Sequence, residues 1–260
     1  MGMFEGRIAL VTGGGRGIGQ GIALALAREG AAVAVNYAKD SNAANETVEI
    51  IRAAGGEARS YGADISDPDA DASMLASINA ELGSVDLLVN NAGVASQGRS
   101  VADTAADEVA RLLATHAVGP HHLCRLALPA MRERAKAIGR GDIVFISSVA
   151  TDSHGAYGAP YNMGKSAMES LAFTLAKEEV GSGIHVNVVA PGLVVSDMGR
   201  RLAKAMAGVD DIHELDAKFP FGRVCEPEDI ARVVMFVCSD AAGYVTGERI
   251  RVHGGGQSMR

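Results

Sequence analysis

Five of the seven residues from 13 to 19 are glycine, and they join the apolar run Arg7-Ile-Ala-Leu-Val-Thr12 to the helical-period stretch Gln20-Gly-Ile-Ala-Leu-Ala-Leu-Ala-Arg28. Few folds are open to a chain that passes from strand to helix through such a turn. Without Cβ atoms the turn can bend tightly and bring its amides against a pyrophosphate, whose charge the positive end of the following helix favours. A second β-branched run, Ala32-Val-Ala-Val-Asn36, begins about twenty residues on, the order of a dinucleotide-binding βαβ unit. Thr12, Gly13, Gly15, Arg16, Gly17, Ile18 and Gly19 are therefore candidate cofactor contacts.

The alternation continues along the chain. Apolar runs at 85–89, 142–146 and 184–189 are separated by helical patterns near 42–54, 67–82, 103–137 and 160–180. Runs this apolar suit parallel strands covered on both faces. With no Pro/Ser-rich linker, the order predicts one α/β domain over residues 1–260, a Rossmann-type doubly wound parallel sheet. The polar stretch 196–222 breaks the rhythm. It follows a strand end, where ligands sit in open α/β sheets, so it is expected to be a substrate-loop insertion over the crevice, with Val94 to Gln97, Val149 to Tyr157 and Leu193 as further walls.

Charge and composition exclude other classes. Lys and Arg number 24 against 31 Asp and Glu, a net charge of −7, with no basic block, so nucleic acid is not expected as a partner. Three cysteines without C-x-x-C spacing suggest neither disulfides nor a thiolate metal site, and the expected compartment is the reducing cytoplasm. The histidines form no ligand pattern, so no metal is expected. No stretch reads as a signal peptide or membrane span.

Sites that prefer NAD often carry an acid at the end of the second strand for the ribose 2′-hydroxyl. Here that region reads Asn36-Tyr37-Ala38-Lys39, with no acid before Asp40. Arg16 and Lys39 are placed to converge on a 2′-phosphate, which makes NADP(H) the expected cofactor over NAD. A third constellation carries chemistry: Ser148 ends an apolar run, and Tyr161-Asn-Met-Gly-Lys165 opens a helix thirteen residues later. Spacing i to i+4 puts Tyr161 and Lys165 on one helix face, where an ammonium is expected to lower the phenol's pKa and fit it for proton exchange with an alcohol or ketone. Ser148 can donate to the same oxygen.

Together these residues resemble the short-chain dehydrogenase/reductase family, from Gly6 to about Gly255. In family order, Thr12-Gly-x-x-x-Gly-x-Gly19 resembles the cofactor motif and Asp64-Ile65 the adenine contact. Asn90-Asn91-Ala92-Gly93 resembles the strand-end motif beside the adenine. Ser148, Tyr161 and Lys165 match the family's catalytic residues, and Pro191-Gly192, followed by Val194 and Ser196, resembles the segment that binds the nicotinamide carboxamide. The resemblance implies hydride transfer between nicotinamide and a carbonyl or secondary alcohol, with Tyr161 as acid/base, Ser148 orienting the oxygen and Lys165 also holding the nicotinamide ribose. It also implies a homotetramer.

Within the family a 3-oxoacyl-carrier-protein reductase is one expectation, with Arg132, Arg134 and Lys177 offered to an acidic acyl carrier protein. A sugar or small-ketone reductase fits equally. The alternative of another class is an NADP-binding regulatory protein that keeps the fold without the chemistry, against which the intact Ser148, Tyr161 and Lys165 stand.

Two positions depart from the family pattern. Thr115-His-Ala-Val-Gly119 carries His116 where the family has an Asn that supports a water relay from the Lys, and His253 replaces an Asp before Gly254-Gly255. His116 is therefore a fourth catalytic candidate, expected to titrate near 6.5 unless burial moves it and so to weaken reduction at acid pH. Pro120 has no N–H for the His116 carbonyl, which predicts a kink that leaves that carbonyl open to water. The plainer reading of His116 is packing.

Overall fold

The computed structural model describes residues 2–255. Seven strands form one parallel sheet in the order β3-β2-β1-β4-β5-β6-β7. They are β1 Ile8–Val11, β2 Ala32–Tyr37, β3 Ala58–Gly62, β4 Leu87–Asn90, β5 Gly141–Ile146, β6 Ile184–Pro191 and β7 Arg249–Val252. The helices are α1 Gly17–Arg28, α2 Ser41–Ala53, α3 Pro68–Glu81, α4 Ala106–Leu113, α5 Gly119–Ile138, the short α6 Ala150–Ser153, α7 Ala159–Glu179, α8 Asp197–Ala207 and α9 Pro227–Val237.

The strands are apolar because each has a covered side above and below. Val11, Val35, Val89 and Val144 meet Ile22 and Leu26 of α1, Val48 and Ile51 of α2, and Ile230 and Val234 of α9. On the other face Leu10, Leu88, Ile143, Phe145 and Val188 meet Ile78 of α3, Leu123 and Met131 of α5, and Met168 and Leu175 of α7. Period-2 alternation thus feeds two cores from one sheet. Strand order reverses between β1 and β4, and a crevice opens there at the carboxyl ends of the strands.

Two sequence expectations need correction. Strands β3 and β7 were not among the apolar runs, because both lie at sheet edges and carry Arg59, Arg249 and Arg251, and edge strands commonly hold charge, which discourages pairing with another chain. The single helix expected over 103–137 is broken. A π-helical turn spans Ala114–Val118, with the Gly119 N–H bonded to the Ala114 carbonyl, immediately before the proline that cannot serve the His116 carbonyl. Within 196–222, α8 and a 3₁₀ turn at Ile212–Lys218 gather Val195, Ala203, Ile212, Leu215 and Val224 into a small core of their own.

Candidate active site

The glycine turn is shaped by its neighbours. Gly13 and Gly17 lie at φ +61° and +53°, which glycine adopts without strain. A Cβ on Gly19 would stand 2.2 Å from the Gly13 carbonyl oxygen, and one on Gly15 would stand 2.8 Å from the Ala44 nitrogen. Asn91 Nδ2 donates to the carbonyls of Thr12 at 2.8 Å and Gly13 at 3.2 Å. Thr12 Oγ1 accepts from the amides of Asn91 and Ala92. Asn36 Oδ1 accepts from the Gly13 amide at 3.2 Å, and its Nδ2 donates to the carbonyls of Ala63 and Tyr61.

The side chains of Thr12, Asn36 and Asn91, expected at the cofactor, are thus engaged in bracing the loop. A buried amide cannot leave such partners without loss. The Ile65 side chain likewise belongs to the apolar core, which leaves only its backbone to face the crevice.

The loop fits a phosphate on independent grounds. Asp40 and Asp67 cap the first amides of α2 and α3 with their side chains. Arg16, at the N-cap of α1, makes no such bond, so the first amides of α1 remain for an anion to satisfy. The Arg16 guanidinium stands 3.4 Å from Asp197 and 3.9 Å from Asp40, and Lys39 faces Asp64. Both cations flank the end of β2, each beside a carboxylate. Hydrogen bonds from Ser66 hold the Asp64 carboxyl below its usual range.

Chemistry-bearing side chains gather at the other end. Ser148 follows β5, while Tyr161 and Lys165 stand one turn apart in α7. The Lys165 ammonium is buried, donates to the Ile146 carbonyl at 2.7 Å and lies 5.9 Å from the Tyr161 ring centroid. Burial pushes it down to about 7. Burial also raises the Tyr161 phenol above its ordinary value, against an opposing hydrogen bond with Ser148. The direction is opposite to the lowered phenol expected from the neighbouring ammonium, and its largest cause is desolvation.

His116 is fully buried, its ring 5.4 Å from that of Tyr161 at 79°. Gly164 makes room for it: a Cβ there would come 3.0 Å from the His116 Cβ. Nε2 lies 2.9 Å from the Val94 carbonyl oxygen and 3.3 Å from the Val94 amide, which can donate to it; the tautomer with the proton on Nε2 makes the shorter bond and leaves a lone pair on Nδ1. Among the described residues Nδ1 has no partner. A Cβ on Gly93 would lie 3.5 Å from Nδ1 and 3.7 Å from Lys165 Nζ, so both nitrogens flank one spot. Burial pushes the imidazole down to about 3, which favours the packing reading of His116 over the acid limb.

Gly192, after β6, backs onto His253, whose Cβ would be 2.9 Å from a Cβ at 192. Val194 is buried and bridges Cys225, and the Ser196 hydroxyl caps α8 by accepting from the Gly199 amide at 3.1 Å. At the mouth His154 and Tyr157 adopt left-handed φ of +45° and +64°. Arg132 and Arg134, offered above to a carrier protein, are paired instead with Glu179 and Asp86. Sequence reasoning passed over Glu169 and Arg249, which stand behind Ser148. Glu169 was detectable as the next i+4 position after Lys165. Among the described residues no acidic, His or Cys cluster could hold a metal, and no helix is long and apolar enough to cross a membrane.

Comparison with known proteins gives consistent matches. A family model described as enoyl-(acyl carrier protein) reductase matches residues 13–257. An uncharacterized oxidoreductase of Methylorubrum extorquens is 39% identical over 256 residues, covering 98% of this chain and 99% of its own. The 3-oxoacyl-(acyl-carrier-protein) reductase FabG of Staphylococcus aureus is 38% identical over 253 residues, 95% of this chain and 96% of its own. The crystal structure of a dehydrogenase/reductase from Sinorhizobium meliloti superposes with a TM-score of 0.86 at 31% identity, covering 97% and 96% of the two chains.

Proposed function

The chain belongs to the short-chain dehydrogenase/reductase family, and from that membership we propose that it is an NADPH-dependent carbonyl reductase with Tyr161 as its acid. The observation that carries this reading is the convergence of Ser148, Tyr161 and Lys165, with the Lys165 ammonium buried 5.9 Å from the Tyr161 ring centroid and Ser148 hydrogen-bonded to the phenol. The protonated phenol is the form that donates to a carbonyl.

NADPH, when bound, supplies the hydride from nicotinamide C4. With the Gly13 amide bonded to Asn36, the amides of Gly15, Gly17, Ile18 and Gly19 would hold the pyrophosphate, and Arg16 and Lys39, with Tyr37 beside them, would take the 2′-phosphate. Asp64, the Ile65 backbone and the backbone of Asn91, Ala92 and Gly93 border the adenine. Pro191, Gly192, Val194 and Ser196 line the carboxamide pocket through their backbone. Lys165 holds the nicotinamide ribose. Tyr161 gives its proton to the carbonyl oxygen, and Ser148 donates a hydrogen bond to that oxygen as charge develops. His116 presents Nδ1 to a water beside Lys165, a route by which the proton is replaced.

The 38% identity to a 3-oxoacyl-(acyl-carrier-protein) reductase puts 3-oxoacyl thioesters first among substrates, with acyl carrier protein as the corresponding partner. Small ketones and sugars come second. The exposed Phe236 and Tyr244 are apolar surface that a homotetramer would cover, and cytoplasmic location follows the reducing-compartment reading. NADPH consumption measured with acetoacetyl-coenzyme A, 2,3-butanedione and a ketose tests the proposal. Turnover of at least one is expected. Tight NADPH binding without turnover on all three would favour the regulatory alternative.

A further inference from the structure

Resting on the reading of Ser148 as the hydrogen-bond donor to the carbonyl, we infer that Arg249 is a positioning residue that sets Ser148 from the far end of the chain. Its guanidinium leaves β7 and ties the Ser148 peptide, α6 and α7 together. Nε donates to Glu169 Oε1 at 2.9 Å, Nη1 to both Asp152 oxygens at 3.0 and 3.1 Å, and Nη2 to the Ser148 carbonyl at 3.1 Å and Thr151 Oγ1 at 2.7 Å. These bonds engage all three guanidinium nitrogens, with Nη1 spanning the Asp152 carboxylate. The Arg249 side chain is only 15% exposed and that of Glu169 13%.

Glu169 closes the arrangement from α7, the helix of Tyr161 and Lys165. Its Oε1 also accepts from the hydroxyls of Ser147 and Thr151, and Thr151 Oγ1 lies 2.9 Å from the Ser148 carbonyl. The Ser148 peptide is thereby clamped between β7 and α7. Its hydroxyl accepts from the Ala150 amide at 3.1 Å, which leaves the hydroxyl proton to donate forward. A lysine would keep the charge but not the planar fork that reaches three elements at once. Misplacing a reacting group by about 1 Å costs about a hundredfold in rate, so the clamp bears on turnover without touching substrate.

The test is a double-mutant cycle on reduction of acetoacetyl-coenzyme A, or of 2,3-butanedione if that is turned over faster. Arg249→Met is expected to lower kcat about 10- to 100-fold, with NADPH affinity unchanged within about twofold, and Arg249→Lys to fall between it and the native protein. In a Ser148→Ala background the same Arg249→Met change is expected to cost less than about threefold, because the group it positions is gone. If Arg249→Met does not fold, Glu169→Gln replaces it in the same cycle with the same expectation. Equal losses in both backgrounds would overturn the proposal alone. A Ser148→Ala protein as active as the native one would overturn the functional reading and the proposal with it.

Discussion

The glycine turn at one end of the crevice offers mostly backbone, whereas the other end gathers Ser148, Tyr161 and the buried Lys165 and His116. Around Gly13–Gly19 the buried polar groups of Thr12, Asn36 and Asn91 are satisfied by the loop itself. Around Tyr161, Lys165 is pushed down to about 7, the phenol is pushed up and a ring nitrogen of His116 stands unpartnered. The difference separates binding from reaction. A cradle of amides needs only shape, which satisfied hydrogen bonds make rigid, while proton transfer needs titratable side chains placed within reach of the reacting oxygen.

Changes at one end should therefore leave the other's function standing. The largest expected effect is Tyr161→Phe, which should lower turnover about 10²- to 10⁴-fold while NADPH affinity stays native. Retention of more than about a tenth of turnover would place the acid elsewhere. Gly19→Ala should act in the opposite sense, weakening nucleotide binding at least about tenfold because its Cβ cannot share space with the Gly13 carbonyl. Gly181→Ala, with open space around it, should be silent in the same titration. Replacing Arg16 and Lys39 together with Ala should erase an NADPH-over-NADH preference of about tenfold, about 1.4 kcal/mol. Equal efficiency with both cofactors in the native protein would remove the 2′-phosphate assignment.

One group at the adenosine end breaks its own pattern. Asp71 in α3 is fully buried with both carboxyl oxygens unpartnered among the described residues, and burial, with Asp67 and Asp64 nearby, pushes it up to about 7. The folded chain then keeps a proton that the unfolded chain releases above its ordinary 3.8. Stability is lost as pH rises from about 4 to 7 and stays lost above. Asp71→Val should therefore stabilise by about 1–3 kcal/mol at pH 8 and by less at pH 5, read as thermal midpoints; equal gains would contradict the assignment. The smallest effect concerns His116. With its imidazole down at about 3, His116→Asn should change kcat less than about tenfold, and the two profiles from pH 5 to 9 should superimpose in shape. An acid limb lost in the variant would show that the ring titrates after all.

The same contrast governs what could be read from the sequence. The glycine turn lies in consecutive residues, so its pattern and place after the first strand suffice, and Tyr161 and Lys165 declare a shared face by their spacing. What could not be read depends on partners distant in the chain. That Asn36 braces Gly13 follows from β2 pairing with β1, and that His116 loses its titration follows from its depth against Gly164 and Gly93. Arg249 lies 101 residues from Ser148 in an edge strand, where a charge reads as solvated. The broken helix was half legible: Pro120 marks the place, but not that a π turn would deliver the imidazole to Tyr161.

The account rests on hydride delivery to a carbonyl with Tyr161 supplying the proton, and one labelled turnover tests both. NADPH carrying deuterium at both nicotinamide C4 positions is incubated with the carbonyl that the native protein reduces fastest, and the alcohol is analysed by mass spectrometry. The native protein should place deuterium on the carbinol carbon, and Tyr161→Phe, although it binds the nucleotide equally, should form no more than about a hundredth as much labelled alcohol in the same time. Alcohol without deuterium, or labelled alcohol formed at the native rate by Tyr161→Phe, would contradict the account.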